Sequence, residues 1–127
     1  MRTLWTALFG LLALLPAGAP AQELRGHGGP VRAVAVAPDG GRALTGSFDQ
    51  SAILWNLGAG SAETVLRFHQ GAINAAVAIK GIGFATGGED GKIALWQGAA
   101  AEPAKVFDGH KGQVAALALS PDGTRLA

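Results

Sequence analysis

Short apolar runs separated by glycine-rich turns recur along the chain. The first covers residues 31–36, the second residues 73–79 and the third residues 114–119. Each run is too short for most helices and rich in β-branched residues, so each predicts a β-strand that is buried on both faces. A turn follows at residues 37–40 and 120–123, where proline presets φ and glycine accepts positive φ. The second unit has a different turn at residues 80–83, one residue shorter.

Three further segments complete each unit. Residues 42–47 and 83–88 predict a second strand, and a tight turn at 48–51 or 89–92 leads into a third strand, through 53–55 or 93–96. A less regular, more polar stretch at 62–68 or 104–107 predicts an outer edge strand, where charge discourages unwanted pairing. The pattern therefore predicts an all-β chain with four antiparallel strands per unit.

The units repeat at a fixed period. His27, His69 and His110 are separated by 42 and 41 residues, and Trp55 to Trp96 is also 41. Asp49 and Asp90 each precede their tryptophan by six residues. A period of about 40–45 residues is the one expected for the four-stranded blades of a β-propeller.

Composition narrows the chemistry. The 127 residues include 20 glycines and no cysteine, which excludes disulfides, thiolate metal sites and covalent haem attachment within these residues. There are 10 basic and 9 acidic residues, and loss of Arg2 with a leader would leave 9 of each. Without a basic patch, no nucleic-acid or anionic-membrane partner is expected.

The first 21 residues predict a signal peptide. Arg2 precedes a 12-residue apolar run at 4–15, too short to cross a bilayer, and Pro16 breaks it. Ala19 and Ala21 supply the small residues that a signal peptidase reads. We expect an exported protein, periplasmic or secreted, that starts near Gln22 and keeps no membrane anchor. A buried core helix is the alternative for this segment.

These features together resemble the WD40 family. Its repeat opens with Gly-His and closes near Trp-Asp, and this chain has Gly26-His27, Phe68-His69 and Gly109-His110 as openings. Its closing pairs are Trp55-Asn56 and Trp96-Gln97, so the name-giving aspartate is missing from both units. The resemblance covers residues 22–127 and is closest to the exported bacterial type. It implies two complete blades, with cores at 26–56 and 68–97, and a third that starts at Gly109.

The resemblance also implies a buried hydrogen-bonded tetrad in each blade. It joins the histidine, a Ser/Thr of the second strand, the turn aspartate and the tryptophan, so these side chains are expected to be structural rather than catalytic. The tetrad residues are His27, Thr45, Asp49 and Trp55 in the first unit, His69, Thr86, Asp90 and Trp96 in the second, and His110 in the third.

Three other interpretations of these residues compete with the tetrad. A hydrolase triad could use Ser47 or Thr45 as nucleophile, but a nucleophile is needed once and the constellation occurs twice. Zinc binding by the three histidines requires them to converge, whereas blades separate them around a ring. Residues 81–88 resemble a phosphate loop, yet they lack the third glycine and a following helix. No catalytic residue, metal site or cofactor is therefore predicted here.

The unit count predicts a piece of a larger propeller, seven blades by family habit. The chain stops inside the second strand of the third unit, and residues 22–25 would be the outer strand of the last blade. Self-assembly of the 127 residues is the alternative. The resemblance implies a non-catalytic scaffold that binds a protein partner. Exported chains of this kind sometimes continue into a cytochrome c domain, so electron transfer, with haem in a C-terminal domain, is the second expectation.

Overall fold

The chain forms two four-stranded antiparallel sheets and no helix over residues 23–127, the part that the computed structural model describes. The first sheet has the order β1-β2-β3-β4 and the second the order β5-β6-β7-β8. The strands are β1 (Val31–Val36), β2 (Arg42–Ser47), β3 (Ser51–Asn56), β4 (Ser61–Arg67), β5 (Ile73–Ile79), β6 (Gly83–Gly88), β7 (Ile93–Gln97) and β8 (Lys105–Phe107). The predicted all-β class and the four strands of each complete unit are confirmed.

The third predicted unit does not form a sheet. Residues 114–119 make no regular strand, and only an isolated bridge joins Leu119 to Leu126, supported by backbone bonds between Ala118 and Ala127. In the first sheet, Val31 pairs with a residue 16 positions later, Ser47. The same register would place the partner of Val114 after residue 127. The strand prediction is therefore wrong for this segment, because its backbone groups have no neighbouring strand among the described residues.

The first strand is buried on one face only. Ala33 and Ala35 lie against the second sheet, whereas Val31, Val34 and Val36 are 50–60% exposed. The prediction that this strand is buried on both faces is wrong, because no described sheet covers its second face. The matching strand β5 is more enclosed, because it packs on β1 and β2 and its Val77 and Ile79 also join the cluster around Val114.

The largest core lies between the two sheets. Leu44, Leu54 and Leu66 of the first sheet meet Phe84 and Trp96 of the second sheet. All five side chains are at most 4% exposed. A second, smaller cluster lies beyond the second sheet, and Val114 anchors it from the third unit. The described units therefore pack one on the next in chain order, which brings equivalent positions to equivalent interfaces.

Glycine at one position of the second strand makes this packing possible. Gly46 of β2 lies beneath Ile73, so close that a Cβ on the glycine would overlap the isoleucine side chain. Gly87 of β6 lies beneath Val114 in the same way, with a Cβ only 2.5 Å from Cγ1. Ile73 and Val114 both stand four residues after their repeat's histidine. The interface thus repeats one contact, a branched side chain over a glycine.

The tight turns between the second and third strands share an unusual backbone conformation. Gly91 has φ 77°, and Gln50, at the equivalent place in the first sheet, has φ 74°. This left-handed region costs a residue with a Cβ roughly 1–2 kcal/mol. The first turn therefore keeps a strained glutamine where the second has the residue that the conformation favours.

Two predictions concern the N-terminal segment, a signal peptide and an outer strand at residues 22–25. Residues 1–22 lie outside the described residues, and with them the predicted signal peptide and Gln22. Residues 23–25 are not a strand, because none of the described strands runs beside them to supply hydrogen bonds. Within residues 23–127 the chain has no helix long and apolar enough to span a bilayer.

Candidate functional site

The four predicted tetrad side chains of the second unit meet in one hydrogen-bonded network. Trp96 Nε1 donates to Thr86 Oγ1 over 2.9 Å, and Thr86 Oγ1 lies 2.8 Å from His69 Nε2. On the far side of the ring, His69 Nδ1 is 3.0 Å from both carboxylate oxygens of Asp90. Strand β6 supplies the threonine, β7 the tryptophan and the turn between them the aspartate, so one hairpin holds three of the four groups.

The direction of each hydrogen bond follows from the donor inventory. Indole nitrogen only donates, so the Thr86 oxygen accepts from Trp96 and its own O–H is free to donate to His69 Nε2. The imidazole then carries its proton on Nδ1 and donates it to the carboxylate of Asp90. This arrangement leaves none of these donors and acceptors unpaired. It is a closed chain from indole to carboxylate.

The first unit builds the same network with small differences. Trp55 Nε1 donates to Thr45 Oγ1 over 2.8 Å, and Thr45 Oγ1 is 2.7 Å from His27 Nε2. His27 Nδ1 is 3.1 Å from Asp49 Oδ2. The structure thus brings together all eight tetrad residues of the first two units in two sets of four.

A fifth residue joins the first network, and the sequence reasoning missed it. Ser51 Oγ donates to Asp49 Oδ1 over 2.6 Å and lies 3.2 Å from His27 Nδ1. The second unit has Lys92 at this position, which contributes only its backbone N–H. A hydroxyl two residues after the turn aspartate was the available signal, since serine there can bond both the carboxylate and the imidazole.

Ser47 has a structural task of its own. Its hydroxyl donates to the backbone oxygens of Gly29 and Pro30 at 3.1 and 2.9 Å, and accepts from the N–H of Asp49. The side chain is fully buried and forms no hydrogen bond to His27. It therefore lacks the base contact that a serine nucleophile requires.

The electrostatics of the two aspartates favour the ionised state. Burial alone would raise the pKa of Asp49, but hydrogen bonds from Ser51, Gly28 and His27 outweigh it and hold the pKa below its ordinary value of 3.8. For Asp90 burial also acts upward, and bonds from His69, Gln70 and Lys92 lower the pKa more strongly. Several donors on one carboxylate stabilise its charge in this way.

The hydroxyls are poorly placed for attack on a substrate. Thr86 is 0% exposed, and its oxygen is already shared between an indole and an imidazole. Thr45 carries the same two bonds. Residues 23–127 also contain no group of three or more His, Asp or Glu side chains able to hold a metal ion. The network can hold the second strand, the tight turn and the loop that carries the histidine in fixed positions relative to one another.

His110 is the one predicted site residue that the structure leaves outside a network. It is exposed and has no side-chain hydrogen bond within residues 23–127. The position that aligns with Thr45 is not among residues 23–127. Phe68, which replaces the opening glycine of the second unit, instead packs edge-on against His69 and Trp96 at 5.2 and 6.3 Å.

Comparison with known protein families agrees with this geometry. The family described as WD domain, G-beta repeat matches residues 18–56 and 101–127, together just over half of the chain. The chain belongs to the WD40 family. The two sheets are therefore WD40 blades, the first formed by β1–β4 and the second by β5–β8. The second blade falls between the matched segments, although it repeats the first blade's sheet and network.

A curated relative gives a second comparison. Telomerase protein component 1 of Mus musculus is 29% identical over 114 residues, which cover 80% of this chain and 4% of that protein. The chain thus corresponds to a small part of this much longer relative. WD40 repeats generally mediate protein–protein interaction, and their proteins are generally non-catalytic scaffolds.

Proposed function

We propose that this chain is the propeller part of an exported, non-catalytic scaffold that binds a protein partner. The observation that carries the proposal is the double tetrad. The histidine, threonine and aspartate of each blade are the groups best suited to acid–base or nucleophilic chemistry, and each blade uses them in the same buried network.

Repetition distinguishes a structural network from a catalytic one. A catalytic site needs one arrangement open to substrate, whereas the two networks here have the same four tetrad residue types and differ in bond length by about 0.1 Å. What remains accessible is the surface of turns and strand edges, where loops on a rigid scaffold commonly bind. The mouse relative is by its name one component of telomerase, which supports an assembly role as a class without naming a partner for this chain.

The charge balance bears on the kind of partner. The 10 basic and 9 acidic residues are spread along the chain, and the sequence contains no run of basic residues of the kind that neutralises a series of phosphates. A protein partner is therefore proposed rather than a nucleic acid or an anionic membrane.

The scaffold proposal is tested by identifying a partner and reconstituting its binding. The full chain, carrying a photo-crosslinking residue at an exposed turn, is crosslinked in the cells that export it, and the captured protein is then purified. We expect a saturable complex from the two purified proteins. Specific ester or peptide hydrolysis by the chain, abolished by Thr45→Val without loss of stability, would replace the scaffold with an enzyme.

Export is a separate proposal, supported by the composition of residues 1–21. N-terminal sequencing of the protein recovered outside the cytoplasm should begin near Gln22. A product that retains Met1 would contradict cleavage.

A further inference from the structure

A groove of about 560 Å³ runs between the two blades on the side of their first turns. Its floor contains Ile79 and Phe84, which are buried, and its banks carry Pro38 from the first blade and Ile82 from the second. Gly81 and Gly98 line it without side chains, which leaves room for a peptide backbone to approach. Most of the surface that lines the groove is thus apolar.

The turn that forms one bank departs from the repeat. The first and third units have Pro-Asp-Gly at this place, whereas the second has Lys80-Gly81-Ile82-Gly83 and is one residue shorter. Ile82 is 42% exposed on this turn. Proline and aspartate stabilise a tight turn better than an exposed branched aliphatic side chain does. The departure therefore serves the groove rather than the turn.

The charged side chains of the groove differ in how far they are already paired. Arg42 donates to Glu63 over 2.7 Å, and Asp39 accepts the N–H of Gly41 over 2.8 Å. Lys80 is exposed and has no hydrogen bond or ion pair within residues 23–127. The groove therefore presents the ammonium of Lys80 on the second blade and the carboxylate of Asp39 on the first, neither in a salt bridge within residues 23–127, beside an apolar floor and an exposed isoleucine.

We propose that this groove binds an extended segment of the partner protein in which an apolar side chain stands next to a carboxylate. The apolar side chain would pack between Pro38 and Ile82 over Phe84, and the carboxylate would meet the ammonium of Lys80. Apolar burial supplies the contact area, and the single charge fixes the register of the segment. The proposal rests on the scaffold function above, since it names the surface and the chemistry that the scaffold would use.

Peptide selection followed by matched substitutions tests the groove. Dodecapeptides are selected from a random display library against the immobilised full chain, and the enriched sequences are synthesised with a fluorescent label. We expect enrichment of an apolar–acidic pair. Fluorescence anisotropy should then show affinity at least tenfold weaker for Lys80→Glu and for Ile82→Ser. Replacing the acidic residue of the peptide by lysine should restore binding to Lys80→Glu.

Two control variants remove the same side-chain types elsewhere. Lys111→Glu changes an exposed lysine of the third unit, and Val65→Ser an exposed valine of β4, neither of which lines the groove. Both should leave affinity within twofold, and thermal melts should show all four variants folded. Absence of any binding peptide, selected peptides without the apolar–acidic pair, or equal losses for groove and control variants would each overturn the proposal. If the crosslinked partner binds the Lys80→Glu and Ile82→Ser chains normally, the scaffold stands and the groove assignment fails.

Discussion

Removing one hydroxyl from the second blade is the sharpest test of what the tetrad does. Thr86→Val keeps the branched shape of the side chain and replaces only its hydroxyl by a methyl group. Trp96 Nε1 then loses its acceptor at 2.9 Å, and His69 Nε2 loses its donor at 2.8 Å. Because Thr86 and its surroundings are fully buried, water cannot replace either bond without the sheet opening.

The magnitude follows from these two orphaned groups. A buried polar group left unsatisfied costs roughly 1–3 kcal/mol, so Thr86→Val should lower the free energy of unfolding by about 2–6 kcal/mol. With a urea m-value of roughly 1–3 kcal/mol/M, such a loss moves the midpoint by at least about 0.7 M. Thr45→Val should have the same sign and a smaller size, since Thr45 is partly exposed whereas Thr86 is fully buried.

Urea titration of the full chain, followed by tryptophan fluorescence and circular dichroism, measures the effect. Thr64→Val is the matched control, because the Thr64 hydroxyl donates to Ala99 O at an exposed edge and its loss should cost less than about 1 kcal/mol. A Thr86→Val chain as stable as the wild type would refute the argument that the tetrad stabilises the blade. Loss of an activity at unchanged stability would assign Thr86 to a reaction instead.

Three further predictions follow from the packing, the turns and the aspartates. Gly46→Ala should destabilise the chain by about 1–3 kcal/mol because the added methyl group would overlap Ile73. Ile73→Ala should cost less in the Gly46→Ala chain than in the wild type, which a double-mutant cycle by urea titration would measure. Additive effects of the two substitutions would contradict the contact. Gln50→Gly should stabilise the chain by about 1 kcal/mol, because glycine adopts the positive φ without strain. Gly91→Gln should destabilise the chain by more, since the new side chain would also meet carbonyl oxygens of the third unit. Thermal melts in which both changes are neutral would contradict the conformational argument. Both tetrad aspartates have lowered pKa values, so their contribution to stability is complete above about pH 4 and is lost as the pH falls below it towards the pKa values of the folded state. The urea midpoint, measured between pH 7 and pH 2.5, should therefore drop at the acid end. A midpoint that does not change with pH would contradict hydrogen bonds that stabilise the ionised aspartates.

Much of the fold could be predicted because local pattern and repeat agree. The second strands coincide with the predicted segments at both ends, Arg42–Ser47 and Gly83–Gly88, since turn residues bound them on either side. What pattern alone could not give is which neighbour covers each face. Val34 lies in an apolar run that predicts burial, yet it is exposed. Its burial depends on whether another sheet covers that face, and the local sequence does not contain this information.

The candidate site also has a part that the sequence predicted and a part that it did not. Spacing placed histidine, threonine, aspartate and tryptophan in sets, and their hydrogen bonds follow from side chains whose donors and acceptors complement each other. Ser51 was missed because it occurs in one unit only and therefore leaves no trace in the period. The groove was missed because its lining comes from two different blades, and no single segment shows that Pro38 and Ile82 line the same groove.

The branched side chain over glycine at successive blade interfaces has an evolutionary consequence. Since Ile73 on Gly46 and Val114 on Gly87 use the same two repeat positions, a gene segment encoding one whole repeat carries both halves of a compatible joint. Duplication or deletion of a full period of about 41 residues would preserve every joint, whereas a shorter insertion within a blade would set side chain against side chain. Such an architecture changes length by whole units, and drift at either joint position should be accompanied by compensating drift at the other.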